Sequence, residues 1–403
     1  MRVDLTTWLL NHYGREVMRP GLNRMREALA SILPELSKCK IITIAGTNGK
    51  GETTLRLSHK LKNKSHLVWT SPHIERITER FRDERGEISE EKLFSLIDHC
   101  HAQVRERGLE LSYYEFLFFV FCSWASERKP DFLLLEVGLG GRLDAVNVLD
   151  ASLVLVPSIS RDHQEILGNR YDLILAEKLG VLRPGATLLT SLSLNYLRER
   201  ATRWAEKISA QVSHMDEIFP LPDFEFSQRN EFLAHAAFIH LMGDFERREW
   251  ASDWRRDEVP LEHRGEVLKS ENTYLFFGSH NPDGVRKLIQ FLHSGKYTFP
   301  RPPYDFVILG LSKRKSEDLT SMLKMMKHAG LGKVVLTSFG HAKALEENLA
   351  KELADQEGID FALNTDPIVH GKNNQIILVT GSYYFMASFK QSLRRRASAS
   401  AGR

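Results

Sequence analysis

IITIAGTNGKGETT, residues Ile41–Thr54, decides the fold. Ile41 to Ala45 form a short apolar run, the mark of a buried strand. The run breaks into Gly46-Thr47-Asn48-Gly49-Lys50-Gly51, and a segment with helical character follows. A glycine-rich turn between strand and helix lets backbone N–H groups approach a phosphate closely. The helix N-terminus adds partial positive charge and Lys50 a full one. The pattern departs from the common loop G-x-x-x-x-G-K-[ST]. Ile44 stands five before Gly49, and Gly51 and Glu52 follow Lys50. Taken alone, the same residues also fit a glycine turn carrying a solvated lysine.

Working outward, strand-like runs recur at 40–45, 66–70, 132–137, 152–157 and 186–190, with helical spacing at 89–107 and 114–128. Phe132-Leu133-Leu134-Leu135 lacks alternation, as expected of a strand covered on both faces. Such alternation of elements predicts a mostly parallel sheet wrapped by helices, an α/β class. A second series follows at 273–278, 305–310, 333–337 and 375–380, with helices expected at 316–329 and 341–356. Between them lies a less regular zone, about 205–265, with the charged run Glu246 to Glu258. The expected domains are therefore 1–260 and 267–395, joined near Pro260–Glu266, with 396–403 a disordered tail.

The 403 residues are 42% hydrophobic and 27% charged, ordinary for a globular chain of two domains. A net charge of +3 gives no global argument for nucleic acid. Cys39, Cys100 and Cys122 are odd in number and widely spaced, so neither a disulfide framework nor a cysteine metal site is indicated. The N-terminus lacks a signal-peptide core, and Phe116–Ala125 is too short to span a membrane and reads as a core helix. A cytoplasmic monomer without nucleic-acid or membrane partners is expected.

Several blocks, in order, resemble the folylpolyglutamate synthase/dihydrofolate synthase family of the Mur-ligase superfamily. Gly46–Gly51 resembles its phosphate loop, and Thr70-Ser71-Pro72-His73 its TSPH block. Leu135–Ala145 (LEVGLGGRLDA) is a near-complete copy of its most distinctive stretch. Asp162-His163, Ala176-Glu177-Lys178-Leu179-Gly180, Gly278-Ser279-His280-Asn281-Pro282 and Val379-Thr380-Gly381-Ser382 continue the series, which covers residues 20 to 390. The resemblance implies a P-loop ATPase-like N-terminal domain, a Rossmann-like C-terminal domain, and an active site in the cleft between them.

The resemblance further implies amide formation through an acyl phosphate, with ATP and Mg²⁺ as cofactors. L-glutamate and a pteroate- or folate-like acid are the implied substrates. Gly46, Thr47, Asn48, Gly49, Lys50, Gly51 and Thr53 would cradle the nucleotide, joined by Arg264, His280 and Asn281. Ser71, Glu136 and His163 would hold the metal, and Lys50, Lys178 and His280 would be catalytic. In relatives the lysine matching Lys178 is carbamylated. Each has a plainer reading: Ser71 as a turn hydroxyl before Pro72, His163 as a helix cap, Lys178 as a surface lysine beside Glu177, His280 as part of a turn.

The chain also departs from the family pattern. Glu52 replaces a serine, Phe277 an aspartate, and Ser312-Lys313-Arg314-Lys315 an acidic DKD block, while the Gln-x-x-Asn block survives loosely around Gln228 and Asn230. A non-catalytic nucleotide- or folate-binding homologue, or a ligase for a non-folate acid, are the alternatives. A cell-wall Mur ligase would need a further domain before the loop, and only 45 residues precede Gly46.

Overall fold

A computed structural model describes residues 5–14, 19–162, 164–218, 226–243, 264–295, 297, 299–363 and 373–401. The backbone forms two compact units, Met1–Val259 and Pro260–Arg403.

In the first unit, β1 (Lys40–Ile44), β2 (His66–Trp69), β3 (Phe81–Asp83), β4 (Gly86–Glu87), β5 (Phe132–Glu136), β6 (Leu153–Val156), β7 (Thr187–Thr190) and β8 (Gln211–His214) form one sheet. Its order is β4-β3-β2-β5-β1-β6-β7-β8. Only the β2–β3 and β3–β4 pairs are antiparallel. Parallel register sets Ile44 of β1 opposite Glu136 of β5.

Successive side chains of a strand point to opposite faces, and the central strands are buried on both. Leu133 and Leu135 join Ile41, Leu67 and Trp69 against the helix Tyr113–Arg128. Leu134 joins Ile42, Ile44 and Val68 against Leu57 of the helix Lys50–Lys60 and Phe232 and Leu233 of the helix Phe226–Met242. The helix Tyr113–Arg128 buries nearly its whole apolar run. It opens on a capping box, in which the Ser112 N–H donates to Glu115 Oε2 at 2.9 Å and the Glu115 N–H to Ser112 Oγ at 3.4 Å.

The second unit has β9 (Arg264–Lys269), β10 (Thr273–Gly278), β11 (Tyr304–Gly310), β12 (Gly332–Thr337), β13 (Asp360–Ala362) and β14 (Ile376–Gly381). Their order is β13-β12-β11-β14-β10-β9, parallel except for β9. No helix among the described residues is long and apolar enough to cross a membrane.

Three expectations need revision. The helix expected over 341–356 begins only at Glu347. The chain before it pairs with the end of β11 instead, Leu345 N–H to Leu311 O and Lys313 N–H to Lys343 O, both at 2.9 Å. Residues 396–401, expected as a disordered tail, continue the helix Tyr383–Ala401; their alanines are strong helix formers. The irregular zone contains β8 and the 17-residue helix Phe226–Met242. Its charged run 246–258 lies outside the described residues.

Because Leu134 is fully buried between two helices and the sheet, Leu134→Ala is expected to cost ~2–5 kcal/mol of stability. Urea unfolding of the two proteins measures it, and a loss below ~1 kcal/mol would contradict this packing.

Candidate functional site

The site grows from the carboxyl ends of β1, β2, β5 and β6, where ligands collect in open α/β sheets. Beyond β1 the chain turns through Gly46–Gly49 into the helix Lys50–Lys60. Gly49 caps that helix in the left-handed region at φ +89°, which favours glycine. The loop is strapped to the segment after β6. Thr47 N–H donates to Ser158 O (2.9 Å) and Thr47 Oγ1 to Ser160 O (3.0 Å). Asn48 N–H donates to Ser158 Oγ (3.1 Å), and Asn48 Nδ2 to Ser160 Oγ (3.1 Å). Four backbone or side-chain groups of the loop are thereby fixed before any ligand arrives, a form of preorganisation. Lys50 Nζ curls back to Thr47 O at 3.1 Å.

Lys178 reaches the same loop. It is 3% exposed, and its Nζ donates to Gly46 O at 2.8 Å. Burial, reinforced by nearby Lys50, pulls its pKa down to about 7, against the opposing pull of Asp162, Asp144 and Glu177. The surface-lysine reading is thus corrected: the amine is buried against the loop.

Glu136, the last residue of β5, is buried. Its Oε2 accepts the Ser71 N–H at 3.1 Å, drawing the TSPH segment to the end of β5. Ser71 Oγ is buried and makes no hydrogen bond of ordinary geometry among the described residues. The turn around it is built by Glu79, whose carboxylate accepts the N–H groups of Ile74, Glu75 and Arg76 at 2.7–2.8 Å. A carboxylate and a buried hydroxyl oxygen beside the Tyr114 hydroxyl are hard donors that suit Mg²⁺, which keeps water and phosphate oxygens as its other ligands. Among the described residues no three His, Cys, Asp or Glu gather around a metal position. His163 lies outside the described residues.

The glycines of residues 138–141 make these placements possible. A Cβ on Gly141 would sit 2.7 Å from Glu177 O, and one on Gly180 would sit 2.4 Å from Arg142 Cβ. The two motif blocks therefore touch backbone to backbone, tied by Arg142 N–H to Glu177 O (2.8 Å) and Arg142 to the Glu177 carboxylate (2.9 Å). Asp144 organises the turn, accepting from Leu139 N–H (2.9 Å), Val146 N–H (3.1 Å) and Tyr114 Oη (3.1 Å). Burial pushes its pKa up to about 6.

Glu52 points toward the helix Phe226–Met242, whose Asn230 Nδ2 (2.8 Å) donates to it together with Arg56 Nε of its own helix (3.0 Å). Thr54 Oγ1 is spent on Lys50 O of its own helix (2.9 Å), whereas Thr53 Oγ1 is buried without a hydrogen bond. The sequence reading passed over Ser158, Ser160 and Tyr114, and gave Asp144 no role of its own within the Leu135–Ala145 block. The polar Ser158-Ile159-Ser160 run just beyond a strand was an available signal for the first two.

In the second unit Asn281 caps the helix Pro282–Ser294, its Oδ1 accepting Gly284 N–H at 2.8 Å, and His280 is half-buried 5.5 Å from the Tyr383 ring. Phe277 packs on Phe291 and Phe299, ring centroids 5.7 and 5.4 Å apart, so the position of the family's aspartate is apolar here. Lys313 and Arg314 pair with Glu346 (2.9 Å) and Asp318 (3.6 Å), which offsets the charge reversal. Arg264 opens β9, and Glu266 pairs with Lys390 at 2.9 Å.

No protein-family model matches the chain. Dihydrofolate synthase/folylpolyglutamate synthase of Escherichia coli K12 is 33% identical over 424 residues, covering 98% of this chain and 96% of that protein. The chain belongs to the dihydrofolate synthase/folylpolyglutamate synthase family. The Bacillus subtilis member is 28% identical over 422 residues, covering 94% and 96%. A bifunctional folylpolyglutamate synthase/dihydrofolate synthase solved with Mn, AMPPNP and L-glutamate shares the fold, with TM-score 0.78, 24% identity and 98% of both chains covered. Folylpolyglutamate synthase of Mycobacterium tuberculosis, solved with ADP and AMPPCP, has TM-score 0.78, 21% identity and coverage of 96% and 97%.

Gly141→Ala places a methyl group against a carbonyl that cannot move without the helix behind it. It is expected to cost ~1–3 kcal/mol in thermal unfolding and to displace Lys178 from Gly46. An unchanged melting temperature would contradict the contact.

Proposed function

We propose that this protein is an ATP-dependent carboxylate–amine ligase that adds L-glutamate to dihydropteroate or a folate. The observation that carries the reading is the meeting of Lys178 and Lys50 on one loop, beside the Ser71–Glu136 pair. The family names and the solved relative holding a nucleotide, a divalent metal and glutamate support it.

A carboxylate is a poor acyl donor because its charge repels a nucleophile. Transfer of the γ-phosphoryl group to it gives an acyl phosphate and ADP, and attack by the glutamate amine then releases phosphate and leaves an amide. Phosphoryl transfer is mainly positioning and charge neutralisation. The 46–51 loop, with Gly46, Gly49, Lys50 and Gly51, would hold the β- and γ-phosphates, Thr47 and Asn48 would shape it through their bonds to Ser158 and Ser160, and Thr53 would offer a hydroxyl beside them. Ser71, Glu136 and His163 would hold Mg²⁺, which supplies positive charge at the transferring group. Arg264, His280 and Asn281 would serve the nucleotide or acyl phosphate from the second domain.

Lys178 would carry the carbamate. Carbon dioxide adds only to a neutral amine. With its pKa lowered to about 7, the amine is mostly protonated below that pH and mostly neutral above it. Turnover is expected to climb as pH passes upward through about 7 and to increase with added bicarbonate. A rate indifferent to bicarbonate across that range would remove the carbamate.

The three cysteines are free thiols, in keeping with a reducing cytoplasm. ADP release is measured with Mg²⁺-ATP and L-glutamate plus dihydropteroate, tetrahydrofolate or no acid. Release is expected only with an acid present, and Lys50→Ala and Glu136→Ala are each expected to lower it by about 1,000-fold. Phe277 in its apolar cluster favours one rival, a homologue that binds without turnover; it would release no ADP in any arm.

A further inference from the structure

Glu52 sits in the first turn of the helix Lys50–Lys60, where a serine is usual in the family. Its carboxylate is 6% exposed and fully engaged. Oε1 accepts from Arg56 Nε at 3.0 Å and from the Ser227 hydroxyl, and Oε2 accepts from Asn230 Nδ2 at 2.8 Å. Arg56 continues to Glu231, which is fully buried and also pairs with Lys60 at 2.8 Å. Two acids and two bases thus balance in the seam between two helices, and a buried charge is tolerated only when so paired.

The consequence falls on Asn230. Its amide has one donating and one accepting end. Since Glu52 is an acceptor, Nδ2 must face it and Oδ1 must face away. That oxygen is buried, lacks a hydrogen bond, and lies 2.6 Å from where a Cβ on Gly49 would be. The whole amide packs on the left-handed turn of the phosphate loop, with Nδ2 also only 2.8 Å from that Cβ position, and Glu52 holds it there.

We propose that Glu52 is a positioning residue for nucleotide binding, acting through Asn230 on the loop at Gly49. The inference rests on the nucleotide reading above. On this view Glu52 is a working substitution, and restoring the family's serine would harm the protein. Glu52→Gln presents a donor that competes with Asn230 Nδ2 or Arg56, and Glu52→Ser removes the strut.

The test is calorimetric titration of Mg²⁺-ADP into the wild type, Glu52→Gln, Glu52→Ser, Asn230→Ala and the Glu52→Gln/Asn230→Ala double variant, each checked for folding by circular dichroism. Each single variant is expected to bind about tenfold more weakly. The double variant is expected to bind no more weakly than Asn230→Ala, because Glu52 acts through that residue. A merely structural staple would give additive losses, which would overturn the proposal, as would wild-type affinity in Glu52→Ser. Should the Glu52 variants unfold, Asn230→Ala decides alone, since it leaves the four charges intact: wild-type affinity there overturns the proposal. Wild-type protein that binds no ADP would instead remove the nucleotide reading itself.

Discussion

Parallel register between β1 and β5 is the constraint on which the site depends. Ile44 pairs with Glu136, and Val137 N–H donates to Ile44 O at 3.0 Å. Two chain segments some ninety residues apart therefore end side by side, one running into the glycine loop and the other offering a carboxylate. A slip of one residue would send Glu136 to the other face of the sheet. The apolar packing of Leu133, Leu134 and Leu135 on both faces opposes that slip.

Electrostatics then act on what register has assembled. Lys50 and Lys178 raise the positive potential at one loop, and burial makes that charge costly enough that Lys178 titrates near neutrality. Such a place is suited to an anion: a triphosphate would relieve the repulsion between the lysines. The glycine contacts at 141 and 180 hold the lysine-bearing helix close enough for this coupling.

Much of this was legible in sequence because it is local or periodic. The strands at 40–45, 66–70, 132–137, 152–157 and 186–190 were readable as apolar runs, since buried parallel strands are apolar throughout. The strands that went unread, β3, β4, β8, β9 and β13, lie toward the sheet edges, are short or charged, and owe their conformation to pairing. The fate of Glu52 was illegible for another reason. Its partners Ser227 and Asn230, and Glu231 on the far side of Arg56, lie about 175 residues away, in a zone whose helix is buried and has little amphipathic signature. The loose Gln228–Asn230 match pointed there without showing which face met Gly49. Lys178 was legible by motif only; its burial comes from the backbone contact between two glycine-bearing blocks.

Amide hydrogen exchange of the wild-type protein, with and without Mg²⁺ and a non-hydrolysable ATP analogue, tests the central claim most directly. The segments Gly46–Lys50, Thr70–Ser71 and Ser158–Ser160 are expected to slow together on binding, as parts of one anion site. Binding of the analogue that leaves Gly46–Lys50 unchanged, or that protects only residues elsewhere, would contradict it.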